Sequence, residues 1–216
     1  MRFITVSEGL TDFPVLKNLL IGFFDNKNLS VSRILPEGNE SVGWGNLLNY
    51  LSTEKFRGIF ELKENFAIIH IDTDKCEEWK QGLHNIGDNK LAVADFIEDV
   101  KRRLVIIIGE DFYETVKDRM LFAITVHEVE CWLLPFNAAL PAHQSKMVNC
   151  LETLERIANS RGFSLNQKNY REGRNYEELS KPLKSNKELM HKYLLNPSLK
   201  IFVDNLLARF PKEQED

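Results

Sequence analysis

The sequence predicts an α/β fold, in which a parallel sheet of about four strands is flanked by helices. The segment 66–71 is a nearly continuous apolar run, and such runs are typical of a central parallel strand that is covered on both faces. Segments with strand-like patterns also alternate along the chain with segments of helical periodicity. This alternation indicates a parallel sheet with helices on both sides.

The predicted elements follow one another in a regular order. Strands are predicted at 2–6, 31–35, 66–71 and 121–126, and helices at 14–24, 46–55 and from about 89 to 119. Residues 104–108 alone would equally suit a strand, and we choose helix because the helical period continues to residue 119. The pattern from 146 to 210 is helical. We therefore predict a sheet domain at 1–136 and a helical extension at 137–216 that packs on it.

The composition narrows the class of protein. The chain has 216 residues, of which 43% are hydrophobic and 28% charged, as in a globular protein. Its apolar runs are far shorter than the roughly 20 residues of a membrane-spanning helix, and its first residues do not resemble a secretion signal. We expect a cytoplasmic protein without membrane association. The net charge of −4 means that nucleic acid would have to meet a local basic surface or one supplied by a partner.

The cysteines do not form a recognisable pattern. Their number is odd, they are widely spaced at Cys76, Cys131 and Cys150, and they include no CxxC pair. The sequence therefore indicates neither a disulfide framework nor a cysteine zinc site. We expect free thiols in a reducing cytosol.

Acidic residues follow three of the predicted strands. They form three pairs: Glu8 with Asp12, Asp72 with Asp74, and Glu128 with Glu130. Ligands of such sheets bind beyond the carboxyl ends of the strands, so we expect the three pairs to converge there. Carboxylates that close repel one another unless a cation lies between them, and hard cations prefer oxygen ligands. The pattern predicts a site for one or two Mg²⁺ or Mn²⁺ ions.

Some of these acids have a second interpretation. Asp72 and Asp74 point to one side only if the strand continues through Thr73, and the alternative is a helix cap with a neighbouring loop acid. Asp12 lies where a helix dipole favours an acid in any case. Glu8 is a poor cap, and Gly9 after it permits a tight, solvent-facing turn, so we favour metal binding for Glu8.

The last acidic pair and one histidine are also open to two interpretations. Glu128 and Glu130 both reach the site if their segment is extended, but only one of them does if it is helical. His70 would share a face with Asp72, yet a histidine in an apolar strand is more often a core residue, so we leave it out of the site. The sequence has no GxxxxGK[ST] loop, no GxGxxG, no GxSxG and no HExxH motif.

The segments "FITVSEGLTDFPVL" and "AIIHIDTD" resemble the Toprim domain of topoisomerases, primases and nucleases of the overcoming-lysogenization-defect (OLD) family. The matching residues are Glu8 with Gly9, and Asp72 with Asp74. The segments "HEVECWLLPF" and "NPSLKIF" look like those of small Toprim-related proteins of prokaryotic anti-phage gene clusters, which are often encoded beside an ATPase of the OLD or SMC type. The resemblance covers roughly 1–136. It departs from the family at the DxD motif, which lacks a third aspartate.

This resemblance implies a nuclease that cleaves DNA or RNA with Mg²⁺ or Mn²⁺, acting as a defence or toxin effector. The implied catalytic residues are Glu8, Asp72 and Asp74, and the implied metal ligands are these three with Glu128 or Glu130. The acidic cluster itself adds Asp12 as a candidate ligand. Glu8 could instead act as a general base. The implied partners are the nucleic acid and an ATPase, and assembly of identical chains is left open.

Two other functions remain alternatives. The fold could serve as a non-catalytic docking subunit of an ATPase complex, with the acids holding a structural ion. Nucleotidyl transfer, as in primases, is a weaker third hypothesis.

Nucleic-acid contacts are predicted in the basic and tyrosine-containing stretch 167–184. Its cations could meet phosphates and its tyrosines could stack on unpaired bases. The alternative is a solvated loop whose glutamates partly cancel the charge. The predicted contact residues are Lys168, Arg171, Arg174 and Lys181.

Overall fold

The computed structural model describes residues 1–38, 41–74, 92–165 and 172–211. Its strands are β1 (Arg2–Val6), β2 (Ser30–Leu35), β3 (Asn65–Asp72) and β4 (Met120–Thr125). The α-helices are α1 (Asp12–Phe24), α2 (Gly43–Leu51), α3 (Glu54–Arg57), α4 (Ala92–Ile108), α5 (Glu110–Val116), α6 (Glu130–Asn137), α7 (Pro141–Gln144), α8 (Cys150–Ser160), α9 (Glu172–Ser180), α10 (Asn186–Lys192) and α11 (Pro197–Arg209). Short 3₁₀ helices cover Gly58–Glu61, Lys117–Arg119, Lys181–Lys184 and Tyr193–Leu195.

The four strands form one parallel sheet in the order β2-β1-β3-β4. The predicted α/β class, the strand number and the helical C-terminal part are confirmed. Residues 104–108 lie in α4, as chosen from the periodicity. The polar stretch 75–89, which contains two glycines and is typical of an exposed loop, lies outside the described residues.

The sheet is covered on both faces by hydrophobic clusters. Successive strand residues alternate between them, because side chains of an extended chain point to opposite faces. Phe3 and Ile68 belong to the cluster that α1 and the C-terminal helices complete, whereas Ile4 and Ile69 belong to the cluster that α2, α3, α4 and α5 complete. This double burial explains why the strand at 66–71 is almost continuously apolar.

The C-terminal helices pack directly on the sheet domain. Trp132 on α6 stacks on Phe202 of α11, with ring centroids 5.5 Å apart, and its indole N–H donates to the hydroxyl of Ser198 at 2.8 Å. On α1, the buried amide of Asn18 donates to the hydroxyl of Ser180 at 2.6 Å. The boundary predicted at 136 falls one residue before the end of α6.

A disulfide joins Cys131 and Cys150, whose Cα atoms lie 5.0 Å apart. The expectation of free thiols is therefore wrong for these two cysteines. The pair has a sequence separation of 19 residues, and packing of α6 against α8 brings it together, so no local spacing could have indicated it. Cys76 lies outside the described residues.

The close contact between α1 and the chain after α9 gives a first prediction. A Cβ added at Gly22 would lie 1.8 Å from the backbone carbonyl oxygen of Leu183. Gly22→Ala should therefore destabilise the protein by about 1–3 kcal/mol, as overpacking does. Gly45→Ala is the matched control, because Gly45 also lies in a helix and an added Cβ there meets nothing within 4 Å.

The control should be neutral or stabilising by up to about 1 kcal/mol, the helix propensity difference between glycine and alanine. Urea denaturation of the two variants and the wild type measures both values. Equal stability of the two variants would show that the C-terminal part does not pack closely against α1 in solution.

Candidate metal centre

Acidic side chains gather in an open cavity of about 250 Å³ at the carboxyl edge of the sheet. The acids that line it are Glu8, Asp12, Asp72, Glu128 and Glu130, together with Gly9, Thr11, Ser41, Gly43, Leu151, Leu165 and Tyr176. The structure thus brings together five of the six predicted acids. The lining contains no lysine and no arginine among the described residues.

The turn between β1 and α1 positions Glu8 and Asp12. The carboxylate of Glu8 accepts a hydrogen bond from the backbone N–H of Asp72 at 3.1 Å. Glu8 is only 7% exposed, so the expectation of a solvent-facing turn is wrong. Asp12 accepts a hydrogen bond from the N–H of Gly9 at 2.8 Å. Asp12 is the first residue of α1, where the helix dipole favours an acid as the alternative interpretation held, and it lines the cavity as well.

Asp72 is the last residue of β3, and its environment disfavours the ionised form. Burial raises the pKa of its carboxyl group well above the usual value, and the neighbouring charges of Asp12, Glu130 and Glu8 raise this pKa further. One opposing contact is a hydrogen bond from the hydroxyl of Thr125, which lowers the pKa. A divalent cation would remove the repulsion and favour the ionised form.

Asp74 is the predicted acid that does not line the cavity. The strand ends at Asp72 and the chain bends at Thr73 and Asp74, so the alternation that would have put both aspartates on one side does not continue. The backbone N–H groups of Thr73 and Asp74 both donate to the carbonyl of His127, at 2.9 and 3.2 Å. Formation of these bonds explains the bend.

Hydrogen bonds at the same bend join the ends of β3 and β4. The hydroxyl of Thr73 donates to the carbonyl of Thr125 at 2.9 Å and accepts from the N–H of His127 at 3.0 Å. His127 has a φ of 66°, a left-handed conformation that turns the chain away from the strand direction. Because the chain turns here, Glu128 and Glu130 leave the strand and come to the cavity wall.

Glu128 and Glu130 both reach the cavity, although α6 begins at Glu130. Glu128 precedes the helix and accepts a hydrogen bond from the N–H of Leu151, in the first turn of α8, at 2.6 Å. Glu130 accepts one from the hydroxyl of Tyr176 on α9. The pKa of Glu130 is raised to about 7, chiefly by burial and then by the charge of Glu128, against the opposing hydrogen bond from Tyr176.

His70 is the member of the site that sequence reasoning left out. Its imidazole is fully buried, with Nδ1 3.4 Å from a carboxylate oxygen of Asp12 and Nε2 3.7 Å from one of Asp72. The ring lies edge-on to Trp132, with centroids 6.0 Å apart. The signal that could have found it was its shared face with Asp72, two residues further along β3.

The cavity offers a donor set suited to a hard divalent cation. Its donors are carboxylate oxygens, which Mg²⁺ and Mn²⁺ prefer. The buried imidazole between two of these carboxylates is aimed at the same group of acids. The residues present therefore fit the predicted ions.

The residues predicted to contact nucleic acid are less well supported by the structure than the acids are. Arg174 and Lys181 are exposed, but Lys181 forms an ion pair with Glu178 and the nearby Lys184 forms one with Glu177. These pairs favour the alternative in which glutamates cancel the charge of this stretch. Lys168 and Arg171 lie outside the described residues.

A comparison with protein-family models, curated proteins and solved structures found no match for this chain. The Toprim resemblance therefore stays a prediction. None of the described helices has the length and apolar character that crossing a membrane requires.

The raised pKa of Glu130 predicts how the metal-free protein responds to pH. A carboxyl group whose pKa is higher in the folded than in the unfolded chain stabilises the fold while it is protonated. This stabilisation is complete below about pH 4.5, the ordinary value, and is lost as the pH rises through about 7. At 1.36 kcal/mol per pKa unit, the loss amounts to about 3 kcal/mol.

Glu130→Gln should remove this loss while keeping an acceptor for Tyr176. With EDTA present, the unfolding free energy of Glu130→Gln minus that of the wild type should increase by about 3 kcal/mol between pH 4.5 and 7.5. The exposed Glu64→Gln is the control and should show a constant difference. If the difference in unfolding free energy is independent of pH for Glu130→Gln as well, the ionisation of Glu130 does not destabilise the fold.

Proposed function

We propose that the protein is a nuclease that cleaves DNA or RNA phosphodiester bonds with Mg²⁺ or Mn²⁺. The observation that carries this proposal is the solvent-open cavity lined by five carboxylates and, among the described residues, by no cation. Such a group can be fully ionised at neutral pH only with a counter-cation. A chain that keeps it at the carboxyl edge of a sheet, where ligands bind, has the donor set for metal-dependent phosphodiester chemistry.

The residues would divide the work according to their positions. Asp72, Glu8 and Glu130 would supply oxygens from three different elements, and Asp12 and Glu128 would complete the donor set. The bound ion supplies Lewis-acid activation of a water and stabilises charge on the leaving oxygen. His70 contacts two of the carboxylates and would hold them in position.

The proposal for the biological role rests on the resemblance to Toprim-related proteins of anti-phage gene clusters. A nuclease of this kind, with an ATPase partner that presents the substrate, would serve as a defence or toxin effector in the cytoplasm. The acidic net charge is consistent with a requirement for such a partner. The docking-subunit alternative predicts instead that no substitution in the cavity changes a catalytic rate.

Substrate contact is better supported at the start of α1 than in the stretch 167–184. Lys17 and Arg33 both lie against the ring of Phe13, with their charged groups 5.9 and 5.8 Å from its centroid. No ion pair among the described residues involves either cation. Phe13 directly follows Asp12, and Arg33 donates to the carbonyl of Gly38, in the loop that leads to the cavity wall.

Glu8→Gln gives the direct test of the catalytic proposal. Glutamine retains an acceptor for the N–H of Asp72, so the fold should survive, whereas the loss of a carboxylate should lower cleavage at least about a hundredfold. The assay incubates purified protein with a panel of single- and double-stranded DNA and RNA in Mn²⁺. Glu64→Gln, at an exposed glutamate just before β3, is the control and should cleave like the wild type.

Equal cleavage by Glu8→Gln and the wild type would contradict the proposal of an enzyme and favour the docking-subunit alternative. Cellular toxicity of the two forms gives a second measure. Toxicity of Glu8→Gln at the wild-type level would lead to the same conclusion.

The cations on α1 and β2 give a separate prediction about substrate binding. In a Glu8→Gln background, which prevents cleavage, Lys17→Ala and Arg33→Ala should each weaken binding of a labelled oligonucleotide. Each should also reduce the slope of log Kd against log salt by about 0.7–0.9, the contribution of one phosphate contact.

Fluorescence anisotropy over a salt series measures these slopes. The control is Lys63→Ala, an exposed lysine just before β3, at the opposite end of the strand from the cavity. If Lys63→Ala lowers the slope as much as Lys17→Ala does, the substrate path does not run over this surface.

A further inference from the structure

A second group of potential metal ligands lies beside the acid cavity. One carboxylate oxygen of Glu128 and the sulfurs of Cys131 and Cys150 all lie within 4.8 Å of one another. Both cysteines are fully buried and joined by the disulfide. Glu128 lines the acid cavity as well, so the two groups share this residue. The sulfurs distinguish the second group, because thiolates prefer a softer cation than carboxylates do.

The surroundings of the two cysteines can accommodate reduced sulfurs. Cys131 is in the first turn of α6 and Cys150 is the first residue of α8, and the positive end of a helix dipole favours a thiolate. Backbone carbonyl oxygens of Met147 and Lys146 lie 3.2 and 3.5 Å from the two sulfurs. They would accept hydrogen bonds from the protonated thiols, so the site can accommodate the dithiol as well as the disulfide.

We propose that the reduced pair, with Glu128, binds a thiophilic divalent cation such as Zn²⁺, and that the disulfide is the metal-free form of this site. An external dithiol would reduce the protein disulfide to two thiols, and the external dithiol would itself be oxidised to a disulfide. Binding of the cation then displaces the two thiol protons. Thiol–disulfide exchange with an external disulfide, which takes up the two electrons and leaves as a dithiol, would re-form the protein disulfide and expel the cation. The proposal does not rest on the nuclease function.

The geometry requires only small movements. At metal–sulfur distances of about 2.3 Å in a tetrahedral site, the two sulfurs would separate to about 3.8 Å. The carboxylate is already within 4.8 Å of both sulfurs, so side-chain rotation can close the remaining distance. Three protein ligands leave the fourth position for water, which the neighbouring cavity can supply.

Cobalt provides a spectroscopic test, since a Co²⁺–thiolate bond gives a charge-transfer absorption that oxygen ligands do not give. The protein carries Cys76→Ser, so that only the pair is observed. It is reduced with a dithiol, desalted without oxygen and titrated with Co²⁺. We expect a charge-transfer band that saturates as Co²⁺ is added, is absent from the unreduced protein and is bleached when the same sample is reoxidised.

Two variants test the ligands. Cys150→Ser should lose the band, and Glu128→Gln should weaken Co²⁺ binding at least about tenfold, whereas Glu152→Gln, an exposed glutamate on α8, should leave it unchanged. A reduced sample with two titratable thiols but no band would overturn the proposal. So would a band that persists in Cys150→Ser. The reoxidation measurement uses the unsubstituted pair, so the test does not depend on the folding of either variant.

Discussion

Repulsion among buried carboxylates is the constraint that shapes the carboxyl edge of the sheet. Burial raises the pKa of Asp72 and of Glu130, and the charges of neighbouring acids raise both pKa values further. Hydrogen bonds from other elements stabilise these carboxylates. The backbone N–H of Asp72 on β3 donates to Glu8, and the hydroxyl of Thr125 on β4 donates to Asp72. The backbone N–H of Leu151 on α8 donates to Glu128. Because Glu8, Asp72 and Glu128 each accept from a donor elsewhere in the chain, the site forms only in the complete fold.

The helical C-terminal part therefore belongs to the site and not only to the scaffold. Leu151, Leu165 and Tyr176 form part of the cavity wall, and the hydroxyl of Tyr176 donates to Glu130. The same helices complete the hydrophobic cluster on one face of the sheet. A division of the chain at residue 136 would remove one wall of the cavity and one layer of the core together.

Features that depend on local sequence patterns could be predicted, whereas features that depend on contacts between distant residues could not. Glu8 and Asp72 were predictable because the carboxyl ends of parallel strands meet at one edge, so local patterns sufficed. Asp74 was misplaced because hydrogen bonds to the carbonyl of His127, 53 residues further along the chain, bend the strand end.

The remaining misses were also contacts between distant residues. The disulfide depends on the packing of two helices, and the contact of His70 with Asp12 depends on the position of α1 above the sheet. Calorimetric titration with Mn²⁺ tests the central claim most directly. The wild type should bind one or two ions with a rise in melting temperature, whereas Asp72→Asn should lose this binding and be at least as stable without metal, because it removes one repelling charge. Unchanged Mn²⁺ affinity in Asp72→Asn, or a less stable metal-free variant, would contradict the account.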